Sequence, residues 1–291
     1  MNRIAETELI LNADGSIYHL NLLPGDVADT VITVGDPQRV EQVSRHFDFV
    51  ELKKTKREFV THTGTMGGKR LTALSTGIGT DNIDIVLNEL DALVNIDLQT
   101  RLPKEHLRSL NIIRIGTSGA IQADIPVDSL LVSTAAFGLD TLMHYYKQHL
   151  TETEEHLLAD FKAALPPGYG LSPYIATANA SLISQLATGL RQGITITSPG
   201  FYAPQGREVR ARSATPELMK AVQDFRSGER RITNLEMETA GIYGLASVLG
   251  HRAISFNVIL ANRATQTFSQ HPDKVMDDFI KEILGRLVAI L

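Results

Sequence analysis

Not one of the 291 residues is a cysteine. That absence removes disulfides, thiolate nucleophiles and Cys-ligated zinc together, and it is compatible with a reducing cytoplasm. No apolar run reaches the roughly 18 residues of a membrane span, and the N-terminus lacks a basic segment followed by an apolar stretch. Neither a span nor a signal peptide is therefore expected, and a cytoplasmic location is. No stretch has the Pro, Gly and Ser density of a flexible linker, and there is no internal repeat. One domain over 1–291 is expected, with 1–16 as a loosely structured N-terminal extension. An excess of positive charge is also missing: 28 Lys and Arg stand against 33 Asp and Glu. There is no general pull toward nucleic acid, and any anion site has to be local. The nine histidines are scattered, without the spacing of a metal motif. What remains, 43% hydrophobic and 21% charged, is the composition of a chain that folds around a core.

Short β-branched runs alternate with helical patterns. Val31 to Val34, Leu71 to Ser75, Ile112 to Ile115, Leu130 to Ser133 and Ala253 to Leu260 have the character of strands. Between them, Asp81 to Leu98 places Ile83, Val86, Leu87, Leu90 and Val94 at helical spacing, and Glu236 to Leu249 does the same with Ala240, Tyr243 and Ala246. Met276 to Leu291 supplies a closing helix. This is α/β order: a central mixed β-sheet flanked by helices. The segment Gly64 to Arg70 has the wrong spacing for a phosphate loop and is expected to be a hairpin turn. Gly77-Ile78-Gly79 opens a helix, but Asn82 stands where a dinucleotide fingerprint needs glycine.

Four features break the rules of a packed α/β protein, which is where function is expected. Arg114 puts a guanidinium inside an apolar strand and must find a partner. A core carboxylate would serve, but the Gly116-Thr117-Ser118-Gly119 run at the strand's carboxyl end favours an oxyanion. Gly35-Asp36-Pro37-Gln38-Arg39 follows a strand and opens a helix, so glycine allows close approach, the helix N-terminus attracts an anion and Arg39 adds charge; Asp36 as an ordinary N-cap is the plainer alternative. Glu236 and Glu238 lie near a helix start, with Thr233 or Asn234 as cap. The macrodipole alone explains two such acids, yet their spacing turns one inward, where it can accept hydrogen bonds from two sugar hydroxyls. In Phe201-Tyr202-Ala203-Pro204-Gln205-Gly206-Arg207 an aromatic stands beside a donor–acceptor and a donor, which suits a flat polar ring; an exposed surface loop is the alternative.

These residues, with the strings VGDPQRV, REF at 57–59, STGIG at 75–79, IIRIGTSGAI at 112–121, FYAPQGR at 201–207 and LEMETAGIY at 235–243, resemble the nucleoside phosphorylase superfamily of NP-I type. Within it the chain is similar to the uridine phosphorylases, from about Tyr18 to the C-terminus. The resemblance implies reversible phosphorolysis of a pyrimidine nucleoside, uridine and phosphate giving uracil and ribose 1-phosphate. It implies phosphate on Gly35, Arg39, Arg114 and Thr117, with Arg57 reaching in from a neighbouring subunit. It assigns the ribose to Glu238, the Met237 backbone and the neighbour's His19, and the base to Phe201, Gln205 and Arg207. The catalytic set is then Arg114, Gln205, Arg207 and Glu238. A homo-oligomer built from dimers follows, with a nucleoside and phosphate as the small-molecule partners, neither nucleic acid nor membrane among them, and no cofactor beyond phosphate as co-substrate.

The resemblance places a monovalent cation near Glu58 in related enzymes, and Asn82 departs from the smaller hydroxyl residue usual there. Purine members carry an acid after the late strand, where this chain has Ala261-Asn262-Arg263-Ala264-Thr265. Hydrolytic relatives have less need of the arginines. The other readings are thus a purine nucleoside phosphorylase, a nucleoside hydrolase of the same fold, or a non-catalytic nucleoside-binding protein. The segment Leu93 to Leu110 is longer than in compact relatives and is expected to bear on subunit packing.

Overall fold

The computed structural model describes residues 3–290. Strand β1 (Thr30–Val34) leads into helix α1 (Pro37–Ser44), followed by β2 (Phe49–Lys56), β3 (Phe59–Met66), β4 (Lys69–Ser75) and α2 (Thr80–Asn95). Two short strands, β5 (Ile96–Asp97) and β6 (Leu102–Pro103), precede the long β7 (Asn111–Ala120) and β8 (Ser129–Gly138). Then come α3 (Glu152–Ala164), β9 (Tyr174–Thr177), α4 (Ala180–Leu186), β10 (Arg191–Thr197) and α5 (Leu218–Asp224). The chain ends with β11 (Arg226–Ser227), β12 (Arg230–Glu236), α6 (Thr239–Val248), β13 (Arg252–Asn262), β14 (Thr267–Phe268) and α7 (Pro272–Ile290).

Twelve strands form one mixed sheet in the order β11-β12-β10-β8-β13-β7-β1-β4-β3-β2, with β9 on β8 and β14 on β13. A further antiparallel contact, Asn234 with Ala120 and Leu235 with Gly119, joins β12 to β7. The run β12-β10-β8-β13-β7 is thereby closed into a ring. Period-two alternation sends neighbouring side chains to opposite faces. Val31 and Ile112 therefore enter the core built with α2 and α6. Ile32 and Ile113 enter the core built with α1, α4 and α7. A third core packs Leu157 and Phe161 of α3 with Leu218 and Val222 of α5.

All five expected strands exist. The hairpin at Gly64–Arg70 also forms, with Met66 opposite Lys69. The expected helix over Glu236–Leu249 is corrected: β12 runs through Glu236 and the helix begins at Thr239, with Glu238 as N-cap. Thr233 and Asn234, read as caps, are buried strand residues. Residues 3–16, expected to be loosely structured, are tied down, while the first two residues of that extension lie outside the described residues. Ile4 N donates to Arg101 O at 2.9 Å, the Arg101 guanidinium donates to Leu9 O, and Lys56 Nζ donates to Asn12 Oδ1 at 2.8 Å. Polar groups brought onto a folded surface satisfied one another, which composition could not forecast. The 93–110 segment is likewise ordered by Asn95, whose Oδ1 accepts from Arg108 N at 2.7 Å. Among the described residues no helix is long and apolar enough to cross a membrane.

Candidate active site

The parallel strands β1, β4, β7 and β13 end on one side of the sheet, and a cavity of about 610 Å³ opens there. Open α/β sheets place ligands at such carboxyl ends, where backbone N–H groups and loop side chains converge. Gly35, Arg39, Arg114, Thr117, Phe201, Gln205, Arg207, Met237 and Glu238 all line it. Nine residues picked from segments about 200 positions apart thus line one cavity. Asp36 is the N-cap expected of it, accepting from Gln38 N at 2.9 Å, and it also borders the cavity.

Arg114 has four neighbours. Its Nη2 lies 2.9 Å from Glu236 and 2.7 Å from Glu238, and its Nη1 donates to Asn257 Oδ1 at 3.1 Å and Ser255 Oγ at 3.3 Å. The carboxylate partner weighed against an oxyanion is therefore present, doubly. The cavity is nevertheless open beside it. Burial alone would lower the Arg114 pKa, and Glu236 and Glu238 outweigh it, so the guanidinium is held above the ordinary arginine range. Glu238 is raised above an ordinary glutamate by burial, with Glu236 adding and Arg114 opposing. Glu236 is clamped as an acceptor by Glu238 N and Thr239 N, both at 2.9 Å, and by Thr197 Oγ1 at 2.6 Å. Glu238 takes Gly79 N at 2.9 Å and Arg114, leaving lone pairs of both oxygens for a ligand.

The guanidinium reaches this position by folding back over Gly116, where any Cβ would overlap it. Glycine is needed here for close approach and not for its backbone freedom. Gly116→Ala is expected to lower stability by about 1–3 kcal/mol through that overlap. The midpoint of denaturant unfolding measures it, and an unmoved midpoint would mean that Arg114 does not lie across the strand.

Arg39 is different. It forms no ion pair among the described residues, and its buried Nε has no hydrogen-bond partner. Burial first and the neighbouring Arg114 charge second hold it below the ordinary arginine value, with Asp36 opposing. A guanidinium N–H without a protein partner at a cavity wall is able to donate to an anion.

The same cavity is lined by the 201–207 loop. Arg207 lies flat over the Phe201 ring, 3.8 Å from its centroid, and donates to Gln205 Oε1 and Phe201 O, both at 2.6 Å. Gln205 is buried. Gly206 sits at φ +67°, where Met219 leaves no room for a Cβ. Arg263 holds this turn from outside, donating to Gln205 O and, at 3.3 Å, to Gly206 O. A bulge between Ile259 and Ala261 on β13 turns Leu260 and Ala261 into the cavity wall beside Phe268. The late-strand amide Asn262 donates to Gln122 O and Ile125 O at 2.9 and 2.6 Å, so no acid or free amide faces a ligand from there.

His19 and Arg57 are not in this cavity. They cluster at another surface around Tyr18, whose ring is 4.8 Å from His19 and 5.8 Å from the Arg57 guanidinium. Among the described residues no group of three His, Cys, Asp or Glu could hold a metal. Beside Glu58, the Asn82 amide nitrogen leans over Gly77 and faces Ile78 O at 3.5 Å.

Sequence reasoning missed the Arg114 scaffold. Behind it, Asn257 donates to Ser133, Ser133 meets Thr195, Thr195 donates to Asn234, and Asn234 donates to Ser118, at 2.5–2.9 Å and wholly buried. Ser255 and Asn257 inside the apolar run Ala253 to Leu260 were the available signal, of the same kind that flagged Arg114.

The profile of the phosphorylase superfamily matches residues 29–291. A uridine phosphorylase of Thermococcus kodakarensis is 31% identical over 261 residues, 90% of this chain and 83% of that protein. One of Haemophilus influenzae is 28% identical over 261 residues, 86% of this chain and 88% of that protein. A Trypanosoma brucei nucleoside phosphorylase, whose crystal structure is described as showing uridine phosphorylase activity, superposes with a TM-score of 0.88 at 28% identity, covering 97% of this chain and 99% of its own.

Proposed function

The chain belongs to the phosphorylase superfamily, and on that premise we propose that it catalyses reversible phosphorolysis of a pyrimidine nucleoside: uridine and phosphate give uracil and ribose 1-phosphate. One observation carries the reading. A single cavity is lined by Arg39, whose buried Nε has no hydrogen-bond partner, by the polar pair Gln205 and Arg207, and by Glu238, a carboxylate with spare lone pairs.

The chemistry breaks the C1′–N1 bond and forms a C1′–O bond to phosphate, through a sugar with oxocarbenium character and a base that departs with negative charge. Arg39, with Gly35 and Thr117 beside it, suits the oxyanion, and Glu238 with the Met237 backbone suits the ribose hydroxyls. Gln205 and Arg207 are donors placed for the base oxygens as they gain charge, so their bonds strengthen toward the transition state. Phosphate binding also needs more positive charge than this chain supplies. Arg114 is engaged by both Glu236 and Glu238, which leaves Arg39 as the cavity guanidinium beside it without an acid partner among the described residues. A dianion therefore calls for a further cation, which supports Arg57 of a neighbouring subunit, with His19 beside it, and hence a homo-oligomer built from dimers. The same reading takes 1–291 as one cytoplasmic domain acting on small molecules, with no cofactor, nucleic acid or membrane required.

Mixing the protein with uridine, with and without phosphate, and following uracil tests the reading. Release only with phosphate is expected; release without it means a hydrolase, and none at all means a binding protein. Arg207→Met is expected to lower kcat/KM for uridine about 10²–10³-fold, as loss of one transition-state donor does. The phosphate KM should stay within about twofold. Equal damage to both constants would remove the division between base end and phosphate end.

A further inference from the structure

We infer that Glu89 sets the tautomer and the aim of His19, and is thereby a positioning residue for the 5′-hydroxyl of the nucleoside. This rests on the function proposed above, in which His19 serves a neighbouring subunit. Glu89 gathers three donors from one turn of chain. His19 N donates to it at 3.0 Å, Leu20 N at 2.8 Å, and His19 Nδ1 approaches Oε1 at 2.7 Å. The Glu89 side chain is 12% exposed and that of His19 26%.

An ionised carboxylate only accepts, so Nδ1 must carry the proton in this contact. In the neutral ring Nε2 then holds a lone pair, and it takes no hydrogen bond among the described residues. A lone pair on an outward nitrogen is the complement of a hydroxyl donor. The two backbone N–H bonds fix the carboxylate independently of the ring. Tyr18 and Phe59, nearly perpendicular to the imidazole at 4.8 and 6.5 Å, restrain the ring plane. Without Glu89 both tautomers are open, and the one protonated at Nε2 presents a donor to a donor. One helix also links the two tasks. The residue before α2, Gly79, donates to Glu238 at 2.9 Å, and Glu89 follows about 15 Å along the same helix, at 1.5 Å per residue.

The experiment compares kcat/KM for uridine and 5′-deoxyuridine at saturating phosphate, in the wild type, Glu89→Gln, His19→Ala and the double variant. It is joined by ¹⁵N NMR of the His19 ring. Glutamine keeps the shape but brings an NH₂ that cannot accept, so it cannot satisfy three donors. The preference for uridine is expected to fall about tenfold in each single variant, the worth of one hydrogen bond, and no further in the double. The phosphate KM should not move, and the Nδ1-protonated signature of the wild type should be lost in Glu89→Gln. Retention of the preference in Glu89→Gln while His19→Ala loses it would overturn the assignment. So would an Nε2-protonated ring in the wild type, or a His19→Ala variant with the preference intact. A wild type that releases no uracil with phosphate overturns the functional reading itself, and is seen before any variant is made.

Discussion

Replacing Arg114 with alanine is expected to abolish phosphorolysis and, at the same time, to lower the folding free energy by about 3–5 kcal/mol. The two losses have one origin. Arg114 is nearly inaccessible and is the counter-charge for both Glu236 and Glu238. Its removal leaves two carboxylates facing each other out of water, each still anchored by backbone N–H groups. The folded state must then keep a buried repulsion or bind a proton. Stability of the variant should therefore recover as the pH is lowered and one carboxylate is neutralised, whereas the wild type should not gain in that way. Arg39→Ala supplies the contrast. Having no carboxylate partner among the described residues and a buried Nε without a hydrogen bond, Arg39 should be removable with a stability change under about 1 kcal/mol, because no ion pair or hydrogen bond is broken. Its phosphate KM should rise about tenfold or more, the loss of a charged hydrogen bond. Denaturant melts of both variants, paired with phosphate titrations, separate the roles. An Arg114→Ala protein as stable as the wild type with an unchanged phosphate KM would contradict the ion-pair geometry and the proposed site together.

That distinction was only half legible in the sequence. A guanidinium inside Ile112–Ile115 announces that something must compensate it, and the chain order of strand and glycine run tells which end of the sheet to search. The identity of the compensating group depends on which strand closes against β7, and that contact, Leu235 with Gly119, joins residues more than a hundred positions apart. Strand β12 was misread for a related reason. Thr233, Asn234 and Glu236 are polar, and polar residues next to a helix are ordinarily caps; inside a closed ring of strands Thr233 instead donates to Ile194 O, Asn234 is satisfied by Thr195 and Ser118, and Glu236 by Thr197. The amphipathic helix α2 was predictable because its buried face, Ile83 to Leu90, needs no knowledge of its partner. Arg263 lay in plain view beside the position searched for an acid. Its bond to the Gln205 carbonyl is a tertiary contact with no local signature.

Glu238→Gln is expected to reduce kcat/KM for uridine about a hundredfold, the effect of weakening charged hydrogen bonds worth about 1.5–3 kcal/mol. The loss should be distinctly smaller for a nucleoside lacking the 2′-hydroxyl, because one of the two bonds is then absent from the start. The pH profile gives a second, independent reading. Burial, reinforced by Glu236 and opposed by Arg114, raises the Glu238 pKa above that of an ordinary glutamate. As the pH falls, Glu238 takes up a proton earlier than an exposed glutamate would, and its carboxylate stops accepting from both hydroxyls and from Arg114. The kcat/KM of the wild type should thus decline on the acid side beginning above the usual carboxylate range, and be complete at higher pH. In the glutamine variant, which has nothing to titrate there, that limb should flatten. Glu236 cannot stand in for it. One of its oxygens already accepts from Glu238 N and Thr239 N and faces Arg114, and the other accepts from Thr197 Oγ1, so Glu236 is more fully engaged than Glu238, whose oxygens take only Gly79 N and Arg114. A Glu238→Gln enzyme that keeps the wild-type acid limb would place the titrating group elsewhere and leave the ribose without its acceptor.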